Sequence, residues 1–240
     1  MAEIEIIDRE GWRHVKIALQ NETVRAESGA LYYMRGNIQM ESAGTGGVGG
    51  FMKSLVTGEN IFRPTYKGTG ELFLEPSFGG FHILELQGDE WIMDAGSYFA
   101  SEGTVEITAK RNKLISGLFG GEGLFQTVAQ GRGKLVLSTP GPIREIHLEN
   151  SRLAVDGNFA VARKGNIDYR VEKAARTLLG SMLSGEGFIN VYEGTGTVLI
   201  ARSSYKRALM KGKISDIISS KVASAKAEAE RKAASKAQQQ

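Results

Sequence analysis

Three stretches, GTGELFLEP at 68–76, GRGKLVLST at 131–139 and GTGTVLIAR at 194–202, decide how this chain is read. Each opens on Gly-x-Gly and runs into an alternation of apolar and polar residues, the pattern of a half-buried strand. The leading glycines, Gly68, Gly131 and Gly194, are 63 residues apart both times. Working upstream, a Gly-Glu pair precedes each one: Gly58 and Glu59, Gly121 and Glu122, Gly185 and Glu186. Further upstream, ESGALYYMRGNIQM (27–40), DAGSYFASEGTVEI (94–107) and DGNFAVARKGNIDY (156–169) run in parallel. Each has an acid and a glycine, an apolar stretch, a second glycine and another alternating strand. Four glycine landmarks kept in register three times imply a threefold internal duplication, with units near 10–80, 81–142 and 143–203. The period is too long for a leucine-rich or ankyrin unit and suits a small β-module.

Within each unit the pattern is mostly strand. Val15, Ile17 and Leu19 alternate in HVKIAL, and Ile146 and Leu148 alternate in IREIHLEN. A helical piece of one or two turns is expected before each Gly-Glu, since Phe51 and Leu55, Leu114 and Leu118, and Leu178 and Met182 are spaced i, i+4. The Gly-Glu then ends that turn and re-enters a strand, glycine supplying the left-handed exit. This assigns Glu59, Glu122 and Glu186 a structural role rather than a catalytic one.

Bulk properties agree with an all-β chain. The sequence has 240 residues, 31 of them glycine and only 4 proline, and no cysteine. Disulfides, thiolate metal sites and cysteine nucleophiles are therefore excluded. The amino-terminal MAEIEIIDREGW carries acids and no apolar signal region, and no apolar run is long enough to span a bilayer. A cytoplasmic protein is the expectation. The formal net charge of +3 is uneven: residues 205–240 hold nine Lys and Arg against three acids, so the remainder is net negative.

AESGALYYMRGNIQME, TGENIF, GLFGGEGLF and LLGSMLSGEGFINVYEGTGTVLI together resemble the altered-inheritance-of-mitochondria twenty-four family over roughly residues 5–203. That family is similar in fold to the tryptophan RNA-binding attenuation protein. The resemblance implies three double-stranded β-helix-like modules around a pseudo-threefold axis in one chain. It carries over no enzymatic activity, and no tryptophan- or RNA-binding residue has a counterpart here. The tail after Tyr205 is a departure from the family pattern.

Searches for chemistry return structural readings. Gly44, Gly46 and Gly49 fit the dinucleotide fingerprint G-x-G-x-x-G, but too few residues separate Gly50 from Gly58 for a crossover helix. A loop is expected there. The three histidines, His14, His82 and His147, have no ligand spacing, and no nucleophile elbow is present. Glu27, Asp94 and Asp156 adjoin turn glycines and read as turn residues. Phe62, Phe125 and Phe188, with Ile189, read as core. Tyr32 and Tyr33 are adjacent in a strand and are expected on opposite faces. No catalytic residue, cofactor or metal is expected.

The tail, 205–240, places Met210, Ile214, Ile217, Ile218, Val222 and Ala225 on one helical stripe, so a C-terminal α-helical extension is expected. Lys206, Arg207, Lys211 and Lys213 at its start are candidate contacts to RNA or another anionic partner. The expected organisation is a triplicated β body (1–204) and a basic helical or partly disordered tail (205–240). The expected function is a non-enzymatic scaffold or interaction protein, forming a homo-oligomer through its β body. The alternative is an RNA- or ribosome-associated protein acting through the tail.

Overall fold

The computed structural model describes residues 1–41, 63–77, 79–94, 96–112, 124–156, 159–173 and 188–203. They form eleven strands and no helix. These are β1 (Glu3–Arg9), β2 (Trp12–Ala26), β3 (Leu31–Glu41), β4 (Thr65–Leu74), β5 (Gly80–Met93), β6 (Tyr98–Glu102), β7 (Val105–Asn112), β8 (Leu124–Thr139), β9 (Ile143–Asp156), β10 (Ala160–Lys173) and β11 (Phe188–Ala201). All belong to one antiparallel sheet, in the order β3-β4-β2-β6-β8-β5-β10-β11-β9, with β1 on β2 and β7 on β8.

The Gly-x-Gly stretches GTGELFL, GRGKLVLST and GTGTVLIA lie on β4, β8 and β11. Each is the middle strand of a triplet. β4 lies between β2 and β3, β8 between β5 and the pair β6 and β7, and β11 between β9 and β10. The alternation is borne out: Val15 and Ile17 are fully sealed, Leu19 nearly so, and Leu72 and Leu74 face the same way. The Gly-x-Gly motif has a backbone cause. Gly36 lies opposite Gly70, and Gly165 opposite Gly196. A Cβ on Gly36 would stand 2.7 Å from the Gly70 Cα, and one on Gly165 2.8 Å from the Gly196 Cα. Two strands cross here at a separation that admits no side chain.

The middle triplet departs from this. Its strand breaks at Gly103–Thr104 into β6 and β7, and the buried Glu102 side chain fills the space beside Gly133. Glu102 accepts the Ala2 N–H at 2.6 Å and the Lys134 N–H at 2.7 Å, tying the start of the chain to the break.

The first strand of each triplet also bulges opposite Gly-x-Gly. The pairing slips between Gln20 and Glu22, between Gln87 and Glu90, and on β9 beside Asn150. Asn21 (φ 68°), Gly88 (φ 109°) and Asn150 (φ 46°) take the left-handed backbone there. Asn and Gly are the residues that tolerate it.

Apolar residues gather in three cores, one per triplet. The first is built on Val15, Ile17, Leu72 and Leu74, the second on Leu86, Met93 and Leu135, the third on Leu148, Tyr169, Tyr192 and Val198. The first is roofed by residues of the second triplet, including Phe99, Ala100 and Val136. The second is roofed by the third triplet through Val161, Ala162 and Leu199. The third contains its own triplet's residues only.

The expected short helices and the Gly44–Gly50 loop lie outside the described residues. So do Gly58, Glu59, Gly121, Glu122, Gly185 and Glu186, the residue Phe62, and the whole tail with Lys206, Arg207, Lys211 and Lys213.

Candidate functional site

Charge is buried where one triplet meets the next. The end of β2 pairs with β6 and the end of β5 with β10, at Ala26 opposite Ala100 and Met93 opposite Ala162. Beside each joint stands one of the repeated acids. Their turn role is borne out in the backbone: Glu27, Asp94 and Asp156 each accept the N–H three residues on, from Ala30, Ser97 and Phe159. Two of the three also sit beside buried arginines.

In the second joint the Gln126 amide donates to Asp94 Oδ1 at 3.1 Å, and Arg163 Nη2 donates to Gln126 Oε1 at 3.0 Å. The Arg163 guanidinium lies 4.5 Å from the centre of the Tyr169 ring, and Tyr169 packs against Tyr192 at 5.2 Å. Burial raises the Asp94 carboxyl, with the Arg163 charge opposing the rise. Burial, followed by the Asp94 charge, raises both tyrosine hydroxyls. In the first joint Arg63 lies 4.1 Å from the centre of the Tyr98 ring, and Arg25 Nη1 donates to the Gly103 and Val105 carbonyls, each at 3.0 Å. Burial raises Glu27 and lowers Arg63, and each charge opposes the other's shift. Three buried polar atoms, Arg63 Nη1, Asp94 Oδ2 and Arg163 Nε, make no hydrogen bond. Breaking such a group by removing one partner is costly, because it strands the other charge in an apolar setting.

A cleft of about 430 Å³ opens over the second joint, lined by Asp89, Glu90, Arg163, Lys164 and Thr197 among others. Lys164 Nζ is already bound to Asp89 at 2.8 Å and lies 5.0 Å from the centre of the Trp91 ring. The cleft therefore presents a satisfied ion pair, and the Thr197 hydroxyl in its lining is hydrogen-bonded to His147 Nδ1 at 3.2 Å.

The histidines separate. His14 tilts against Tyr32 at 5.9 Å. His82 lies opposite Leu137 and His147 opposite Thr197, three places apart in the triplet frame, so they are not equivalent. Both feel Glu145: its charge acts on His82, and His147 Nε2 stands 4.0 Å from its Oε2. No group of three or more metal-binding side chains occurs among the described residues.

Tyr32 and Tyr33 correct the expectation of opposite faces. The pairing of β3 slips between Leu31 and Tyr33, so the rule of alternation fails at Tyr32. Their rings meet edge-on at 5.1 Å, and Tyr33 stacks on Phe73 at 4.3 Å. With Met34 and Met40, both tyrosines are exposed. This apolar strip on β3 and the two polar joints are the surfaces and sites the fold offers. The bulges have a local signal in LQNE (19–22), LQGD (86–89) and LENS (148–151), where Asn or Gly follows a Leu-polar pair. The buried arginines carry no such local signal.

The class is thus an all-β protein of one large antiparallel sheet, wound as strand triplets with charge buried between them. The model of the family described as Mitochondrial biogenesis AIM24 matches residues 4–202, and the chain belongs to that family. It is similar to an uncharacterized protein of Streptococcus pyogenes serotype M6, 29% identical over 189 residues, covering 74% of this chain and 76% of the relative. A crystal structure of a Streptococcus pyogenes protein superposes with a TM-score of 0.74 at 24% identity, covering 90% of this chain and all of the other. That likeness concerns the fold. Among the described residues no helix is long and apolar enough to cross a membrane.

Proposed function

We propose that this protein is a non-enzymatic scaffold that presents its β body to protein partners. The observation that carries the reading is the apolar strip on β3, where Tyr32, Tyr33, Met34 and Met40 stand exposed on one strand. Tyr and Met are enriched where proteins meet, and a free strand edge is a template for another chain. The arginines of the charged joints, Arg63 and Arg163, are buried, and we read them as serving orientation rather than turnover. We read the three triplets as copies of one double-stranded β-helix-like module, on the strength of the matching turns, bulges and Gly-x-Gly crossings. In that reading a pseudo-threefold axis relates the three copies within one chain.

The test is affinity capture of the full-length protein from its own cells, with nuclease, beside Tyr32→Glu and Met34→Glu. A defined protein retained by the parent and lost with both variants supports the scaffold. Equal recovery with all three removes β3 as the surface. The RNA-associated alternative rests on the tail charge and on the fold resemblance to an RNA-binding protein. It requires bound nucleic acid that is lost with rising salt and with a chain ending at Tyr205.

A further inference from the structure

The first triplet carries a strand that has no counterpart among the described residues of the other two. β1 runs antiparallel along β2, with Ile4 opposite Ile17 and Ile7 opposite His14, and it sends Ala2 and Ile4 into the first core. The residues ahead of β1 lie in the first joint. The Met1 ammonium pairs with Glu22 at 3.1 Å, the Ala2 N–H donates to Glu102 Oε1 at 2.6 Å, and Lys134 Nζ donates to the Ala2 carbonyl at 3.3 Å. The seat of β1 thus has two parts: the side of β2 that β4 leaves free, and a notch between triplets that grips main-chain groups.

The second triplet repeats that seat. The bulge and Gly-x-Gly landmarks set Asp89 in the place of Glu22, Lys164 in that of Glu102, Gly196 in that of Gly133 and Thr197 in that of Lys134. The first match extends to bonding, for Glu22 accepts the Gln20 N–H at 2.8 Å and Asp89 accepts the Gln87 N–H at 3.0 Å. Asp89, Lys164, Gly196 and Thr197 all line the cleft of about 430 Å³ over the second joint. On β5, residues 81–85 correspond to 14–18 of β2, the stretch that β1 covers. Among the described residues β5 pairs with β8, and with β10 only at Ile92 and Met93. The second side of 81–85 therefore has no strand partner among them.

We propose that this side of β5, together with the cleft, receives an extended segment of a partner protein as an added antiparallel strand, seated as β1 is seated on β2. Strand addition draws affinity from main-chain hydrogen bonds and specificity from alternate side chains. Leu84 stands where Ile17 faces Ile4, so the segment carries an aliphatic residue for the second core. Glu85 stands where Ala18 faces Glu3; it is exposed, and Asp89 and Glu90 lie beyond it. The residue ahead of the aliphatic one is therefore Lys or Arg, opposite in charge to Glu3. In the cleft a main-chain carbonyl accepts from Lys164, which keeps N–H donors to spare after its bond to Asp89. This seat is separate from the β3 strip and does not depend on it.

The probe is a synthetic peptide of residues 1–9 and its Glu3→Lys form, each labelled at the Arg9 end and titrated by fluorescence anisotropy into the full-length protein. The Glu3→Lys peptide should bind about threefold tighter, and the preference should reverse on full-length Glu85→Lys, the scale on which cross-strand charge pairs act. Ile4→Asp in the peptide should weaken binding about tenfold, because it removes an aliphatic side chain from the second core. Bound peptide should slow hydrogen exchange at the alternate amides of 81–85 that do not bond β8. Tyr32→Glu, the variant that tests β3, should bind the peptide as the parent does, so the two surfaces succeed or fail separately.

Four results overturn the inference. Protection gained on β2 instead of β5, with no response to Glu85→Lys, means that the peptide displaces β1 from its own seat. Slow exchange at those β5 amides before any peptide is added means that the chain covers this side itself. Loss of binding with Tyr32→Glu places the peptide on β3. No binding of either peptide at millimolar concentration means that β5 is not a seat.

Discussion

Leu199 and Phe73 stand at the same place after their Gly-x-Gly motifs, yet Leu199 is sealed and Phe73 is only partly buried. The difference does not come from their own triplets, which share strand order, bulge and turn. Leu199 lies on the second core as part of its roof, whereas Phe73 has no core beneath it. Burial in this fold is conferred by the neighbouring triplet. A strand pattern specifies which face is apolar, but the adjoining unit decides whether that face is dry.

The largest expected effect breaks or confirms this contrast directly. Leu199→Ala should destabilise the protein by about 2–5 kcal/mol, the usual cost of truncating a sealed core side chain. Phe73→Ala should cost roughly 1–2 kcal/mol, since a partly buried ring removes less area from water. Urea denaturation of both variants measures it. Equal losses would mean that the roof of the first triplet is already covered.

A second, smaller contrast compares the third triplet with the broken middle one. Gly165 has φ 98° and its Cβ would press on the Gly196 backbone, so Gly165→Ala combines strain with a clash and should cost roughly 2–4 kcal/mol. At Gly103 a Cβ would stand 3.0 Å from the Thr23 carbonyl and the backbone is not left-handed. Gly103→Ala should cost about 1 kcal/mol. Thermal unfolding of the pair tests whether the break at Gly103–Thr104 relaxes the crossing.

The smallest effect concerns pH, and it should have opposite signs in the interior and on the surface. Burial raises Asp94, so its contribution is fully present below its ordinary value of 3.8 and is lost as pH rises through the raised one. Asp94→Asn should remove that decline while costing stability overall by stranding Arg163. On the surface, the hydrogen bond from Lys16 holds Glu71 below its ordinary 4.5, so its contribution is present above 4.5 and is lost on acidification. Glu71→Gln should flatten only the acid limb. Stability measured across the acid and neutral range separates the two. A single shared slope would show that Asp94 is not desolvated.

Much of this was legible in the sequence. The period-two runs at 14–19, 71–74 and 134–139 became strands, because alternation is a property of the extended backbone itself. The acids at 27, 94 and 156 became turns for an equally local reason. The failure at Tyr32 was also local in origin: a one-residue slip in pairing cancels alternation, and pairing partners are not written in the strand that slips. Arg63 and Arg163 could not be found at all, since a buried arginine looks like any other until its neighbours are placed.

The sequence by itself determined the strands, the recurring landmarks and the glycines at the crossings. Those depend on sterics within a few residues and on motif spacing. The tertiary structure alone decided which charges are buried, which roofs are occupied, and that β3 and β9 end the sheet. These are relations between triplets some 60 residues apart, and desolvation acts on the group that a distant strand covers, not on the residue type that the chain supplies.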